Sequence, residues 1–326
     1  MTPATEVSPH APPSSEDRPW FTTLLDRLAR RQDLTRAEAA AALEMMAAGI
    51  VGESEMAAFL MGLRVKGETA DEIAGLVEAM RRAVIPVYLP GAETLVDIVG
   101  TGGDGLGTFN ISTAAAFVVA GAGVKVAKHG NRAASSSCGS ADVLEALGVQ
   151  VDLDPASIAT CIERVGIGFM FAPRHHSATG RVAGVRRSLG IRTVFNFLGP
   201  LTNPAGAGRL LVGVGVPGFL PTLAEALARL GCEHALVVSG HDGMDEISVT
   251  GPTTLIEVRA GQVARPQVVQ PESYGLRRWP LVALRGGDAA HNARLIRAVL
   301  AGEPGAPREA VLVNAGAALY VAGFSS

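Results

Sequence analysis

Two strand-to-helix junctions packed into residues 96–146 limit what this chain can fold into more than any other stretch of it. An apolar strand, Val96 to Val99, runs into the turn Gly100-Thr101-Gly102-Gly103-Asp104. Past Thr108, a polar loop ending Asn110-Ile111-Ser112-Thr113 opens an alanine-rich helix. A second strand, Val124 to Ala127, delivers Lys128-His129-Gly130-Asn131-Arg132 and the small residues Ala133, Ala134, Ser135 and Ser136. Another helix starts near Ser140. Junctions of this kind present backbone N–H groups and the positive end of a helix dipole, so two of them in succession make a site for more than one phosphate.

Each residue type has a physical reason to be there. Gly100, Gly102 and Gly103 permit positive φ and let a ligand approach the backbone. Asn110, Ser112 and Thr113 sit where a helix begins and turn polar atoms toward its N-terminus. Lys128 adds a full charge, and Asn131, Arg132, Ser135 and Ser136 add donors to oxygen. An isolated Gly-Gly-Asp is usually only a turn, and an isolated Ser-Thr only a cap. Their combination favours a polyphosphate site.

The remaining sequence divides in two. From Trp20 to about Val87 the apolar spacing is helical, and Thr35 with Glu38 and Thr69 with Glu72 form two capping boxes. From Leu95 onward, the apolar runs VDIV, VKVA, VQVD, IGFMFA, LLVGVGV, HALVVSG and TTLIEV alternate with helical stretches. That alternation predicts an α/β domain with a largely buried sheet. Residues 1–17 hold Pro, Ser, Thr and Glu without an apolar core, so they are expected to be a disordered extension and neither a signal nor a membrane span.

A formal net charge of −3 gives no basic surface to draw nucleic acid or an anionic membrane. The three cysteines, Cys138, Cys161 and Cys232, lack metal-ligand spacing and fit a reduced, cytoplasmic setting. Of 28 basic residues only Lys66, Lys125 and Lys128 are lysine, and two of these lie in the phosphate region. After the strand HALVVSG comes Gly243-Met244-Asp245-Glu246, and two adjacent carboxylates at a strand's end suit Mg²⁺. The alternative, a solvated acidic turn, is commoner in general; a polyphosphate site in the same domain favours the metal. Arg186 and Arg187, in VAGVRRSLG, are both able to grip a planar carboxylate. Residue types alone do not choose between them. His129, His175 and His176 have no nucleophile partner at useful spacing, so a catalytic triad is not expected.

The stretches GTGGD, NIST, KHGNRAASS and GSADVLEALG resemble the anthranilate phosphoribosyltransferases. The resemblance continues through FMFAPRHHSA, VRRSLGIRTVFNFLGPLTNPAG, GMDEIS and GGDAAHNARLIRAVLAGEPGAPREAVLVNAGAALYVAG, and includes the N-terminal FLMGLRVKGETADEIAGLVEAM. It covers nearly everything from Phe21 to Gly323. It implies a small N-terminal helical domain (18–90) beside a large α/β domain (91–326) of the nucleoside phosphorylase/phosphoribosyltransferase class. It further implies an active site in the cleft between them, and a homodimer formed through the helical part together with the helix around 177–190.

What the resemblance implies for chemistry is a transfer of the phosphoribosyl group of 5-phosphoribosyl 1-pyrophosphate to anthranilate, the second step of tryptophan biosynthesis from chorismate. The phosphoribosyl pyrophosphate would lie on Gly100, Gly103, Asp104, Thr108 and Asn110 to Thr113. Its 5-phosphate would lie on Lys128 to Ser136 and Ser140. Asp245 and Glu246 match the family's metal pair, and Ser112 the ligand of a further Mg²⁺, giving two ions per monomer. Arg186 occupies the position of the anthranilate carboxylate contact, assisted by Gly100 and Asn131. No covalent nucleophile or obligate acid–base residue is implied.

Two departures stand out. His176-Ser177-Ala178-Thr179 replaces the more usual His-Pro-Ala-Met, and relatives carry roughly a further helix beyond Gly323. If that helix is missing, its packing partners are expected to be exposed. A pyrimidine nucleoside phosphorylase-like enzyme would need the phosphate loops but neither the Asp245–Glu246 pair nor Arg186. A non-catalytic nucleic-acid-binding relative would need a basic surface.

Overall fold

The first helices begin where neighbouring side chains can cap them. In the computed structural model, which describes residues 18–133, 137–177 and 180–324, the chain opens with α1 (Arg18–Ala29), α2 (Arg36–Ala48), α3 (Glu53–Lys66) and α4 (Ala70–Ala83). The Thr35 and Thr69 hydroxyls accept the backbone N–H groups of Glu38 and Glu72, whose carboxylates accept in return. These are the two capping boxes the spacing predicts. Glu72 does more than cap. Fully buried, it also accepts from the Leu34 N–H at 2.8 Å and from Lys66 Nζ at 2.9 Å, tying the α1–α2 loop and two helices, α3 and α4, to one carboxylate.

Beyond α4 come β1 (Val96–Gly100), α5 (Ile111–Gly121), β2 (Val126–Gly130), α6 (Ser140–Ala146), α7 (Pro155–Val165) and β3 (Ile167–Phe171). Next are α8 (Ala172–His175), α9 (Gly180–Leu189), α10 (Phe195–Leu198), β4 (Arg209–Gly213), α11 (Leu220–Arg229) and β5 (His234–Gly240). The chain closes with β6 (Thr253–Arg259), β7 (Gln262–Val263), β8 (Gln267–Val269), α12 (Ala289–Leu300) and α13 (Ala306–Val321). Two units result: Met1–Val84 with His176–Thr202, and Ile85–His175 with Asn203–Ser326. In the first, α2 packs on α4, α1 on α3, and α9 returns to both α2 and α3. No described helix is long and apolar enough to cross a membrane.

The second unit is a mixed sheet in the order β3-β2-β1-β4-β5-β6-β7, with β8 also on β6. Strands β1 to β5 run parallel, and β6 is antiparallel to β5. The order reverses between β1 and β4. In open α/β sheets that reversal leaves a crevice at the carboxyl ends of the two strands, where ligands bind. Helices α5 and α13 pack together and cover β1 and β4, burying Val96, Ile98, Ala114, Val119, Leu211, Val311 and Ala318 in one core.

Two strand expectations need correction. VQVD is not a strand: residues 149–154 run without regular structure into α7, where Asp154 accepts the N–H groups of Ala156 and Ser157. Val151 alone of that run is buried, so two apolar residues were enough to mimic a strand without a partner to pair with. The second strand also runs 126–130 instead of 124–127, because its pairing with β3 continues through Gly130. Lys128 and His129 are therefore sheet residues. Residues 1–17, for which an extension is expected, lie outside the described residues, as do Ala178 and Thr179.

Candidate active site

Gly100 and Gly213 end β1 and β4 and lie opposite each other in the sheet. A Cβ on Gly100 would collide with the Asp245 carboxylate, and one on Gly213 with the Asp245 carbonyl. The two glycines thus let the segment after β5 lie across the ends of both strands, at the point where the strand order reverses. Gly100 is demanded by this close approach and not by its φ. Left-handed backbone occurs next along, at Gly102 and Gly103, with φ of 66° and 69°. The Gly102 N–H then donates to Asp245 Oδ2 at 2.7 Å.

This packing brings three carboxylates together. Asp104, Asp245 and Glu246 each offer an oxygen within 4.8 Å of the others. Burial pushes the Asp245 carboxyl above its ordinary range, with the Asp104 charge adding to the effect. Burial, then the Asp245 and Asp104 charges, pushes Glu246 well above its own. Glu246 Oε2 is buried with no hydrogen-bond partner. Three crowded carboxylates, one with an unpartnered oxygen, fit a hard divalent cation that takes oxygen ligands. Asp104, assigned from sequence to the phosphoribosyl pyrophosphate, belongs geometrically with the acidic pair.

Lys128 is buried in β2, and its Nζ donates to the Ile98 carbonyl at 2.6 Å with Ser112 Oγ at 3.5 Å. Burial pulls its pKa down, opposed by the charges of Asp97 and Glu246. The ammonium therefore lies between β1, the start of α5 and the acidic cluster, not on a loop. Asp97 is fully buried beside it and its carboxyl is raised to about 6, mainly by desolvation. It accepts from the His129 N–H at 3.2 Å and from Asn203 Nδ2 at 2.7 Å, which also donates to the Ala127 carbonyl. The role of His129 visible here is this backbone contact.

The helix start at 110–113 is only partly as expected. Asn110 occupies the N-cap position of α5 but makes no capping bond. Its amide donates to the Cys138 carbonyl at 3.1 Å and accepts from Asn292 Nδ2 at 2.9 Å. The Ile111 N–H donates to the Phe109 carbonyl, and the Thr113 hydroxyl is buried without a partner. Thr108 forms an isolated bridge with Arg285.

The second loop is held by its own carboxylates. Asp142 Oδ2 accepts the N–H groups of Ala133 (2.9 Å) and Gly139 (2.8 Å), one on each side of 134–136. Ser140 Oγ and the Asn131 backbone exchange two bonds of 3.2 Å. Arg132 pairs with both Glu145 oxygens at 2.7 Å and with Asp142 at 3.0 Å, its guanidinium 5.5 Å from the centre of the Phe171 ring. Both of its terminal nitrogens, expected from sequence to donate to phosphate oxygen, donate here to carboxylates. Ala134, Ser135 and Ser136, central to that expectation, lie outside the described residues. Gly130 is kept small by Ser140 and Phe169.

Arg186, in the other unit, is half-buried on α9 with its guanidinium 5.4 Å from the Phe195 ring centre, and Arg187 is exposed. Four residues that sequence reasoning passed over hold the second unit's site together: Asp97, Asp142, Asn292 and Asn314. The available signal was a buried-looking polar residue inside an apolar run, as in VDIV, HNARLI and VLVNAGAAL.

Comparison with known proteins identifies the family. Residues 22–84 match the glycosyl transferase family, helical bundle domain, and residues 92–326 the glycosyl transferase family, a/b domain. The anthranilate phosphoribosyltransferase of Azorhizobium caulinodans is 54% identical over 303 residues, 93% of this chain and 87% of the relative. That of Anaeromyxobacter sp. is 56% identical over 302 residues, 93% of this chain and 89% of the relative. The crystal structure of the Thermus thermophilus anthranilate phosphoribosyltransferase superposes with a TM-score of 0.87 at 47% identity, covering 92% of this chain and 89% of that one. The Saccharomyces cerevisiae enzyme, solved in complex with PRPP and Mg, gives 0.83 at 28% identity over 94% and 90%. This chain, with its helical bundle, its α/β domain and three carboxylates at the sheet's switch point, belongs to the anthranilate phosphoribosyltransferase family.

Proposed function

We propose that this chain transfers the phosphoribosyl group of 5-phosphoribosyl 1-pyrophosphate to the amine of anthranilate, releasing pyrophosphate, with Asp104, Asp245, Glu246 and Ser112 as its metal-facing residues. The observation that carries the reading is the convergence of Asp104, Asp245 and Glu246 at the β1–β4 switch point, beside the start of α5. The yeast relative's complexes with PRPP and Mg and with 4-fluoroanthranilate support the same substrates here.

As pyrophosphate leaves the anomeric carbon, positive charge grows on the ribose and negative charge on the leaving group. The backbone amides of Ser112 and Thr113, in the first turn of α5, are placed to meet that negative charge. Bound Mg²⁺, two per monomer in this reading, would neutralise pyrophosphate oxygens and so make the group a better leaving group. The buried Lys128 ammonium limits the net negative charge around Ser112 and Glu246. The 131–140 loop, with Ser135, Ser136 and Ser140, takes the 5-phosphate. Arg186, with Gly100 and Asn131, is assigned to the anthranilate carboxylate by resemblance to the family. A neutral aromatic amine is already nucleophilic, so no side chain is assigned as its base. A cytoplasmic homodimer completes the reading. Neither a nucleoside phosphorylase nor a nucleic-acid-binding relative is favoured, because relatives above 50% identity are anthranilate phosphoribosyltransferases.

The test follows loss of anthranilate fluorescence with phosphoribosyl pyrophosphate and Mg²⁺, for the parent and an Asp245→Ala, Glu246→Ala variant. Turnover that needs all three components and falls at least about a hundredfold in the variant is expected. Turnover that persists in the variant would overturn the metal assignment.

A further inference from the structure

We propose that Asn314, on α13, is a positioning residue that fixes the Asp245–Glu246 segment in the geometry a divalent cation requires. The proposal rests on the reading of that pair as metal ligands. It starts from one buried amide. Asn314 Oδ1 accepts the Ile247 N–H at 3.0 Å, and Asn314 Nδ2 donates to the Ile247 carbonyl at 2.9 Å. A second Nδ2 hydrogen goes to the Ala310 carbonyl at 2.9 Å, one turn back in the same helix. Both backbone polar groups of Ile247 are thus held by a single side chain, as a neighbouring strand would hold them.

Residue type and burial make this costly to arrange by accident. Asn314 is 1% exposed and is set among the buried Ala310, Val311, Ala315 and Ala318. Asparagine is a poorer helix former than those alanines, and an amide gains from burial only when every donor and acceptor is matched. Here the matches go to a loop, not to α13's own stability alone. Ile247 is 2% exposed, so without the amide its N–H and carbonyl would be left buried and short of these partners.

The consequence reaches the acidic pair through the chain. On the near side, Asp245 is seated by the Gly102 N–H and by the close approach to Gly100 and Gly213. Glu246 lies between that seat and the Asn314 clamp. Its Oε2 is buried and unpartnered, so its carboxylate takes its aim from the backbone on either side together with the neighbouring Asp245 carboxyl. Groups that orient a metal ligand without touching the metal typically change affinity by about ten- to a hundredfold.

The experiment titrates Mn²⁺ into the full-length protein in the presence of pyrophosphate and reads binding by water-proton relaxation. Asn314→Ala is compared with Val311→Ala, a packing loss on the same helix, and with Asp245→Asn. The expected result is binding weakened about tenfold or more in Asn314→Ala, within twofold of the parent in Val311→Ala, and lost in Asp245→Asn. Asn314→Gln, which restores an amide one methylene out of place, is expected to fall between parent and Asn314→Ala, and carries the test if the alanine variant fails to fold. Parent-like binding in the Asn314 variants, or an equal loss in Val311→Ala, overturns the positioning role. Parent-like binding in Asp245→Asn overturns instead the metal reading beneath it.

Discussion

Asp245 and Arg132 both bring charge to the candidate site, and the protein treats them in opposite ways. Asp245 is buried against glycines, beside two further carboxylates, and burial and charge crowding drive its proton affinity up. Arg132 is exposed, and Glu145 and Asp142 raise its proton affinity by pairing with it. In the first region the protein crowds carboxylates together, and protons or a cation would relieve their repulsion. In the second it supplies the counter-ions itself, so in the proposed reading a phosphate would have to compete with Glu145. Burial turns a charge into a ligand requirement; exposure leaves it free to exchange partners.

The sharpest way to break the buried region is through its seat. Gly213→Ala places a methyl group on the Asp245 carbonyl. It is expected to cost about 2–4 kcal/mol of stability, by the usual penalty for overpacking or displacing a core segment, and to remove most turnover. Urea unfolding beside the fluorescence assay checks both, and parent-like turnover would show that the segment can move without harm.

The next test uses pH. Asp97 has a folded value of about 6 against an ordinary 3.8, so the folded state holds its proton more tightly than the unfolded state. Its contribution to stability is complete below about pH 3.8 and is lost as the pH rises through about 6. Parent stability should therefore fall relative to Asp97→Asn by up to about 3 kcal/mol between pH 4 and pH 7. Urea midpoints at the two pH values decide it; an unchanged gap would mean that Asp97 is ionised throughout.

The smallest effect is expected in the exposed region. Glu145→Gln releases one partner of Arg132, an exposed pair that solvent screens. Stability should barely change, while the KM for phosphoribosyl pyrophosphate should fall a few-fold as Arg132 becomes available to phosphate. A rise in KM would show that Glu145 acts by holding the loop, not by competing for its arginine.

Much of this organisation was legible in the chain itself. The caps at Thr35 and Thr69 depend on residues three positions apart, and those local rules were met. The turn after β1 and the acidic pair after β5 could be found because strand ends followed by Gly, Asp and Glu carry their chemistry in adjacent residues. The failures have an equally local cause. VQVD reads as a strand by composition, yet nothing within the run reveals whether a neighbour is available to pair with it. Lys128 reads as a loop cation because the apolar run ends at Ala127, while its actual placement depends on pairing with β3.

What the sequence by itself determined is the division into a helical part and an alternating α/β part, the family and the set of residues that bear charge. Tertiary structure alone decided which of those residues meet. Gly102 and Asp245 are 143 positions apart, Asn110 and Asn292 are 182 apart, and Ile247 and Asn314 are 67 apart. Tertiary structure also decided which glycine is small for a neighbour and which for its φ, and which asparagine holds a loop in place. The physical reason is that burial, pairing and close approach are properties of two surfaces. A residue's type fixes what it can offer, but its cost and its partner exist only once the other surface has arrived.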